Sequence, residues 1–351
     1  MKRLSVVVLF VAVMAASGLA ATVGTWYGAV GPVPPVGTGS WTDTYWNAAN
    51  TAGPPAPPQV AGDEIKLTRA TTVCTVNTNV GDYLCKLSIA GSDTAPNVAP
   101  KLEIVGGGYI GMGEFRVGSG GSTGGGTIGR VSQMGGTLNL NDNLMIGRYG
   151  TSGSNPNNGI GYYAISGGII QCASTNTKGN LYIAGTGANG PSEGTFTVIG
   201  NAASITLRQL YVGSNGTYTG GKGTLEFQIG TGGVSPIQLT SADSIILDAK
   251  GADSTAALVL SLIGAPPAGS IMLVENTSTG AVSGLFDSLN GGSAAEGAAV
   301  ALTYGANTYN YTLTYVGGTG NDIMLIPEPA TLVLLGLGGL IAAARKPRSR
   351  R

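Results

Sequence analysis

The sequence predicts an all-β fold, a single-stranded parallel β-solenoid of the right-handed β-helix type. The first observation is a fourfold repeat, whose copies begin at Gly129, Gly161, Gly194 and Gly223 with spacings of 32, 33 and 29 residues. The second is period-2 alternation of apolar residues within each copy, which is typical of strands that bury one face. The third is the high glycine content, 60 of 351 residues without a G-X-Y period. Short strands separated by glycine corners are typical of solenoid coils.

Each copy contains three alternating runs, and the runs align position by position between copies. The residues expected to point inward are Val131/Gln133, Tyr163/Ile165, Phe196/Val198 and Leu225/Phe227 in the first run, Leu138/Leu140, Ile170/Cys172, Ile205/Leu207 and Ile237/Leu239 in the second, and Leu144/Ile146, Leu181/Ile183, Leu210/Val212 and Ile245/Leu247 in the third. Cys172 shares a slot with leucines, which favours a small core residue over a reactive thiol.

Composition restricts the function. The chain has 18 basic and 18 acidic residues, but seven of the basic ones lie in the terminal tails, leaving 11 basic against 17 acidic residues between positions 21 and 326. Such a body is poorly suited to nucleic acid, which requires clustered Lys and Arg. The chain contains no histidine, which excludes Ser-His-Asp and Cys-His catalysis and the commonest zinc ligand. No cofactor is expected.

Residues 1–20 have the features of a secretory signal peptide. Lys2 and Arg3 form the charged region, Leu4 to Ala16 the apolar core, and Gly18-Leu19-Ala20 a small-residue cleavage site. The alternative is a retained anchor, which the short apolar core disfavours.

Residues 21–62 are rich in Trp, Pro and Gly and are predicted to be a loop-rich N-terminal cap. Trp41 and Trp46 either cover the first coil or form a platform on which sugars stack. Residues 63–254 are assigned to the solenoid. Export permits disulfides, and Cys74 and Cys85 are close enough in sequence to staple a hairpin.

Residues 255–326 contain less glycine and longer alternating runs, which predicts an antiparallel β cap at the C-terminal end. The segment ends in residues 317–325, of which Gly317 to Met324 fit the Gly-Gly-x-Gly-x-Asp-x-U calcium nonapeptide with Asp322 as the candidate ligand. A single copy lacks the facing turn, so a plain Gly-Asn-Asp turn between two closing strands is the favoured interpretation and no metal site is expected.

Residues 327–351 form a distinct tail. Pro327-Glu328-Pro329 is followed by fifteen apolar or small residues, Ala330 to Ala344, and by a basic end. Fifteen residues of helix span about 22 Å, less than the roughly 30 Å of a bilayer core. A transient anchor in the inner membrane, with the basic end cytoplasmic, fits this length and charge.

The tail resembles the PEP-CTERM sorting signal of Gram-negative bacteria, through Pro327-Glu328-Pro329, the apolar helix Thr331 to Ala344 and the basic end. The resemblance implies an exosortase-type partner that cuts near this motif, and a destination at the cell surface or outside the cell. The body resembles autotransporter-associated β-strand repeat proteins, through segments such as 194–198, 136–140, 180–183, 209–213 and 320–323. That resemblance brings no catalytic residues.

The outward positions supply the remaining site candidates. On the third run Tyr182 and Tyr211 are expected one coil apart, about 4.8 Å, where they either stack sugar rings or pack as ordinary cross-strand neighbours. Glu226 has no second carboxylate beside it in the aligned copies, so the acid/base pair of a glycosidase is not visible. We therefore expect a non-enzymatic structural or adhesive protein associated with extracellular polysaccharide, matrix or other surface proteins. The alternatives are a carbohydrate-binding module using the Tyr and Trp residues and, less favoured, a polysaccharide lyase or glycoside hydrolase.

Overall fold

A computed structural model describes residues 23–26, 38–40, 46–47, 64–67, 73–76, 79–82, 86–89, 101–119, 127–148, 159–172, 178–186, 191–213, 220–241, 245–247 and 253–328. Within these ranges the regular secondary structure consists of β-strands, without a helix. The all-β solenoid prediction is confirmed. The predicted signal peptide and the predicted C-terminal helix lie outside the described residues.

The strands are short, apart from three of 11 to 14 residues. In chain order they are β1 (Val23–Trp26), β2 (Thr38–Ser40), β3 (Trp46–Asn47), β4 (Glu64–Leu67), β5 (Val73–Val76), β6 (Asn79–Asp82), β7 (Lys86–Ile89), β8 (Lys101–Ile104), β9 (Tyr109–Met112), β10 (Glu114–Ser119), β11 (Thr127–Leu140), β12 (Leu144–Arg148), β13 (Gly159–Cys172), β14 (Leu181–Thr186), β15 (Ser192–Ile199), β16 (Ala203–Leu207), β17 (Leu210–Val212), β18 (Gly221–Ile229), β19 (Ile237–Leu239), β20 (Ile245–Leu247), β21 (Thr255–Leu262), β22 (Ile271–Asn276), β23 (Val282–Ser283), β24 (Ser288–Leu289), β25 (Ala299–Tyr304), β26 (Asn307–Gly317) and β27 (Asp322–Pro327).

The coils stack into three faces of parallel strands. The first face contains β2, β5, β8, the N-terminal halves of β11 and β13, then β15, β18, β21 and β24. The second face contains β6, β9, the C-terminal halves of β11 and β13, then β16, β19 and β22. The third face is a 10-stranded sheet, in which nine strands from β23 to β1 pair in parallel and β3 pairs antiparallel to β1.

The register agrees with the aligned repeat at every row. The four repeat-starting glycines pair directly, Gly129 with Gly161, Gly161 with Gly194, and Gly194 with Gly223. The same register stacks the first-run row Val131, Tyr163, Phe196 and Leu225 and the third-run row Leu144, Leu181, Leu210 and Ile245. Because side chains alternate between faces, this register buries one complete set of apolar residues along the axis.

The glycine corner does not end the strand in two of the copies. β11 and β13 each run for 14 residues through the first and second faces. The bends fall at Gly136 (φ +66°) and Gly168 (φ +88°), and the ladder shifts register at the bend. A left-handed φ is available to glycine without steric cost, so the chain turns while pairing continues on either side.

A buried polar pair lies within the apolar stack of the solenoid. Gln133, which the repeat places in an inward slot, is fully buried. It accepts a 2.6 Å hydrogen bond from the Tyr163 hydroxyl and donates one of 3.0 Å to the Ile169 carbonyl. Burial raises the pKa of Tyr163 above its ordinary value, so the hydroxyl stays protonated as the donor. The pair is therefore satisfied within the apolar stack.

Parallel stacking continues into the segment predicted to be the C-terminal cap. β21 pairs in parallel with β18, β22 with β19, β23 with β20 and β24 with β21. The antiparallel part is confined to β25, β26 and β27, and β27 joins it to the solenoid by pairing with β22. At the other end β1 and β2, within the predicted N-terminal cap, pair in parallel with β4 and β5.

The repeat-starting glycines lie where successive strands of the coil come closest. A Cβ on Gly194 would overlap the Ile146 carbonyl oxygen and lie 2.7 Å from the Ala184 nitrogen. Both obstacles are backbone atoms, which cannot rotate away. The row therefore requires glycine for close approach of one strand to the backbone before it.

We predict that Gly194→Ala destabilises the protein by about 1–3 kcal/mol, the usual cost of overpacking. Gly269→Ala is the matched control, because its Cβ would meet no atom within 4 Å, and it should change stability by no more than about 1 kcal/mol. Urea unfolding followed by circular dichroism measures both. Equal stability of the two variants would show that the close approach is wrong.

Candidate functional site

Tyr182 and Tyr211 form a stacked pair on the outside of the third face. They occupy directly paired positions on β14 and β17. Their ring centroids are 4.6 Å apart, with an angle of 16° between the planes. The predicted one-coil spacing of these tyrosines is confirmed. Met145 and Ile246 occupy the paired positions on either side of them.

This geometry limits what the tyrosine pair can bind. Each ring stacks one of its faces on the other ring, whereas sugar stacking needs an open aromatic face. The hydroxyls are also engaged, since Tyr182 accepts a hydrogen bond from the Asn180 amide at 3.1 Å and Tyr211 donates to Gln209 at 3.1 Å. The pair is half-buried and has the contacts of a cross-strand packing pair.

The tryptophan candidates are placed only in part. Trp46 lies in β3, where its backbone pairs with Trp26. Trp41 lies outside the described residues. A sugar platform built on these tryptophans therefore stays a prediction.

A row of polar side chains runs along the outside of the second face, and we call it the polar ladder. Its members occupy paired positions on β11, β13, β16, β19 and β22: Asn139, Gln171, Thr206, Gln238 and Glu275. Gln171 donates to Asn139 at 3.4 Å, Thr206 to Gln238 at 3.4 Å, and Gln238 to Glu275 at 2.9 Å. Gln171 and Gln238 are exposed and the other three are half-buried.

Sequence reasoning overlooked this ladder, although the signal was present. Its first four members each lie between the two inward residues of the second run, as Gln171 lies between Ile170 and Cys172. The same alignment that identified the tyrosines on the third face would have identified these four, whereas Glu275 lies beyond the aligned copies. The sequence predictions rested on aromatic and ionisable groups, and neutral amides and hydroxyls at outward positions are not distinctive in the same way.

Four basic groups on the outer surface are paired with acids close by. The ion pairs of the described residues are Lys101–Glu103 at 2.8 Å, Arg116–Glu114 at 2.6 Å, Lys178–Asp142 at 2.6 Å and Lys222–Glu193 at 3.6 Å. The Asp142 hydrogen bond and charge raise the pKa of Lys178, which is already charged at neutral pH. Neutralised in pairs, these cations do not form a basic stripe of the kind that binds polyanions.

Glu226 lies on the first face between Thr197 and Val259 in the paired positions. Its two oxygens accept hydrogen bonds from Thr197 and from Gln228, each at 3.0 Å. Neither register neighbour is a carboxylate. Across the described ranges, no cluster of three His, Cys, Asp or Glu side chains is suited to hold a metal ion.

An open groove of about 280 Å³ lies on the first face. Its lining includes Tyr162, Glu193, Thr195, Lys222 and Thr224. Glu193 and Lys222 are both largely exposed and 3.6 Å apart, and such solvated pairs contribute little energy. The groove is shallow and lacks a buried polar group that would orient a ligand.

Asp322 has a structural role at the end of the chain's last hairpin. One carboxylate oxygen accepts from the Asn276 backbone N–H at 2.7 Å, and the other from the Thr319 N–H at 3.0 Å. The neighbouring Asn321 amide donates to the carbonyls of Ser278 and Gly280, at 2.6 and 3.0 Å. These bonds tie the β26–β27 turn to the loop after β22, as the favoured Gly-Asn-Asp interpretation expects.

Two of the three cysteines, Cys74 and Cys172, lie within the described residues. Cys74 is fully buried on β5, whereas Cys85 lies outside the described residues, so their pairing stays a prediction. Cys172 occupies the inward slot paired with Leu140 and packs against the core. Burial raises the pKa of its thiol, which disfavours the reactive thiolate.

The Pro-Glu-Pro segment begins inside the last strand. Pro327 ends β27 opposite Tyr311, and the Glu328 N–H donates to the Asn310 carbonyl at 3.1 Å. Pro329 lies outside the described residues. Residues 325–351 match the family described as the PEP-CTERM protein-sorting motif. This chain carries that sorting motif.

A PEP-CTERM motif implies export across the inner membrane to the cell surface of a Gram-negative bacterium, and recognition by exosortase. Comparison with curated proteins and with solved structures gives no significant match. The described part of the chain contains no helix with the length and apolarity that a membrane crossing requires. The motif therefore establishes where the solenoid is sent, and the chemistry of its surface is the remaining guide to its role.

We predict that Asp322 supports the cap without calcium. Asp322→Ala should cost roughly 1.5–3 kcal/mol, because the buried Asn276 N–H loses a charged hydrogen-bond acceptor. Thermal unfolding of the unsubstituted protein should be the same with calcium as with a chelator, since an ion that binds only the folded state would raise the midpoint. A calcium-dependent rise that disappears in Asp322→Asn would contradict this.

Proposed function

We propose that this surface-sorted solenoid is a structural and adhesive protein that binds neutral extracellular polysaccharide along its second face, without catalysis. The observation that supports this most is the polar ladder, five amide, hydroxyl and carboxylate side chains in register over successive strands. Amides both donate and accept hydrogen bonds, as sugar hydroxyls do. The ladder thus offers a chemical match to a chain of repeated hydroxyl groups.

The spacing of the ladder favours an extended ligand. Strands lie about 4.8 Å apart, so the five positions from Asn139 to Glu275 cover about 19 Å along the axis. A single exposed hydrogen bond contributes only about 0.5–1.5 kcal/mol. Several such contacts on one rigid face add through effective concentration, which suits adhesion to a polymer better than capture of a small molecule.

Charge favours a neutral polymer over an anionic one. Four of the body's basic groups are paired with carboxylates within 4 Å, and the body between positions 21 and 326 has six more acidic than basic residues. A uronate polymer or nucleic acid would meet net repulsion.

The absence of catalysis is part of the proposal. It is supported by the hydrogen-bonded position of Glu226 between Thr197 and Val259, where a paired carboxylate would be required. Turnover of neutral or uronate polysaccharide by the purified protein, lost on Glu226→Gln, would contradict it.

The rival proposal places carbohydrate binding at Tyr182 and Tyr211. Its support is that both rings are half-exposed and in register on the third face. Against it, each ring stacks on the other at 4.6 Å. The two proposals use different faces of the solenoid, so substitutions separate them.

We predict that the purified full chain binds immobilised neutral glucans more tightly than alginate or polygalacturonate. The double variant Gln171→Ala/Gln238→Ala should weaken binding by about tenfold or more, because two hydrogen bonds at about 1 kcal/mol each are lost. Gln228→Ala, a glutamine on the first face, is the control and should leave binding unchanged.

Tyr182→Ala/Tyr211→Ala should also leave polysaccharide affinity unchanged while lowering stability. Binding that is lost in the tyrosine variant and retained in the ladder variant would favour the rival. If no neutral polysaccharide binds, the adhesive proposal fails.

A further inference from the structure

β27, the last strand of the described residues, connects the antiparallel cap to the solenoid. β27 lies between β22 and β26 and pairs with both. Its inward residues Ile323 and Leu325 are fully buried. Removing β27 would separate the β25–β26 hairpin from the second face and expose these side chains. The strand is therefore needed to close this end of the core.

The sorting motif starts within this strand. Leu325 is two residues before Pro327 and is fully buried. Pro327 is paired with Tyr311, and the Glu328 N–H is bound to the Asn310 carbonyl. The first two residues of Pro327-Glu328-Pro329 thus belong to the folded cap.

This placement restricts which peptide bond a protease can reach. Extended peptides are commonly recognised through their main-chain hydrogen-bonding groups. Around the Ile326–Pro327 and Pro327–Glu328 bonds those groups are engaged with β26. Cleavage at either bond would require β27 to detach, which is a sub-global unfolding event. The described pairing with β26 therefore protects the chain as far as the Glu328 N–H.

We propose that the sorting enzyme cleaves at the Glu328–Pro329 bond or beyond it, and that the mature protein keeps Pro327 and Glu328 as the end of β27. One peptide bond breaks; its acyl carbon takes the oxygen of water, or the nitrogen of an acceptor amine, and the tail leaves with a new amino terminus. The cap stays closed throughout, so the enzyme acts on a folded substrate. This rests on processing by the exosortase-type partner that the PEP-CTERM motif implies.

The test is to map the C-terminus of the protein recovered from the cell surface. No Lys or Arg lies between Lys250 and Arg345, so trypsin gives one long peptide, whereas a protease that cuts before Asp322 releases a short one. Mass spectrometry should find a peptide that starts at Asp322 and includes Glu328. A peptide that ends at Pro327 or earlier overturns the proposed cut position.

Mapping the C-terminus also distinguishes an error in the proposed cleavage position from the absence of cleavage altogether. A terminus before Glu328 contradicts only the position, because the tail has still been removed. An intact Arg351 in surface-recovered protein contradicts processing itself, and the position with it.

A pair of variants on β26 tests whether the folded strand sets the limit. Leu313, opposite Leu325, is fully buried, whereas Val316 on the same strand is 64% exposed. Both lie outside the sorting motif. Leu313→Ala should raise the fraction of termini upstream of Glu328 by about tenfold or more, because a buried leucine deletion weakens the cap. Val316→Ala should leave the terminus unchanged. Identical termini in both variants would overturn the protective role of the cap.

Discussion

The close approach of the repeat-starting glycines on the first face to the backbone of third-face strands is the constraint on which the rest of the solenoid depends. At Gly194 the obstacles to a side chain are the Ile146 carbonyl and the Ala184 nitrogen. Side chains alternate between the two faces of a strand. The register that aligns the glycines of successive coils therefore also fixes which residues of every other row point inward. The row changes to alanine at Ala256, which is paired with Gly223 and fully buried. That coil is also where the Gly-rich period ends and the chain approaches its cap.

The same register that packs the core arranges the outer surface into rows of distinct chemistry. The second face carries the polar ladder, the third face the tyrosine stack, and the first face a mixture of hydroxyls and paired charges. A repeated scaffold therefore multiplies whichever group stands at an outward position, so that individually weak contacts act together. The sorting motif then determines where this surface is displayed. The first residues of the sorting motif also pair with β26 and complete the cap, so the sorting signal is part of the fold.

Much of this could be predicted from the sequence, because local rules determine it. Alternation and glycine spacing predicted the paired rows through Gly129 and Gly223, and with them the spacing of Tyr182 and Tyr211. The stacking of those rings on each other depends on side-chain angles, which periodicity does not contain. Parallel pairing past residue 254 was not predicted, because glycine density falls there while the register persists. The Gly-Asn-Asp pattern predicted a turn between two closing strands, but it does not contain the register that pairs Pro327 with Tyr311.

The separation of outward positions along one row is the most direct measure of in-register stacking. Glu103 and Val259 lie in the same row, five strand steps apart, which at about 4.8 Å per step is about 24 Å between backbones. Pulsed electron paramagnetic resonance measures this distance between spin labels attached at Glu103→Cys and Val259→Cys. The native cysteines are replaced in the labelled protein. In-register stacking predicts one narrow distance distribution centred near 24 Å, widened only by the flexible linkers of the spin labels. A broad distribution, or a centre displaced by two or more strand spacings, would contradict the in-register solenoid.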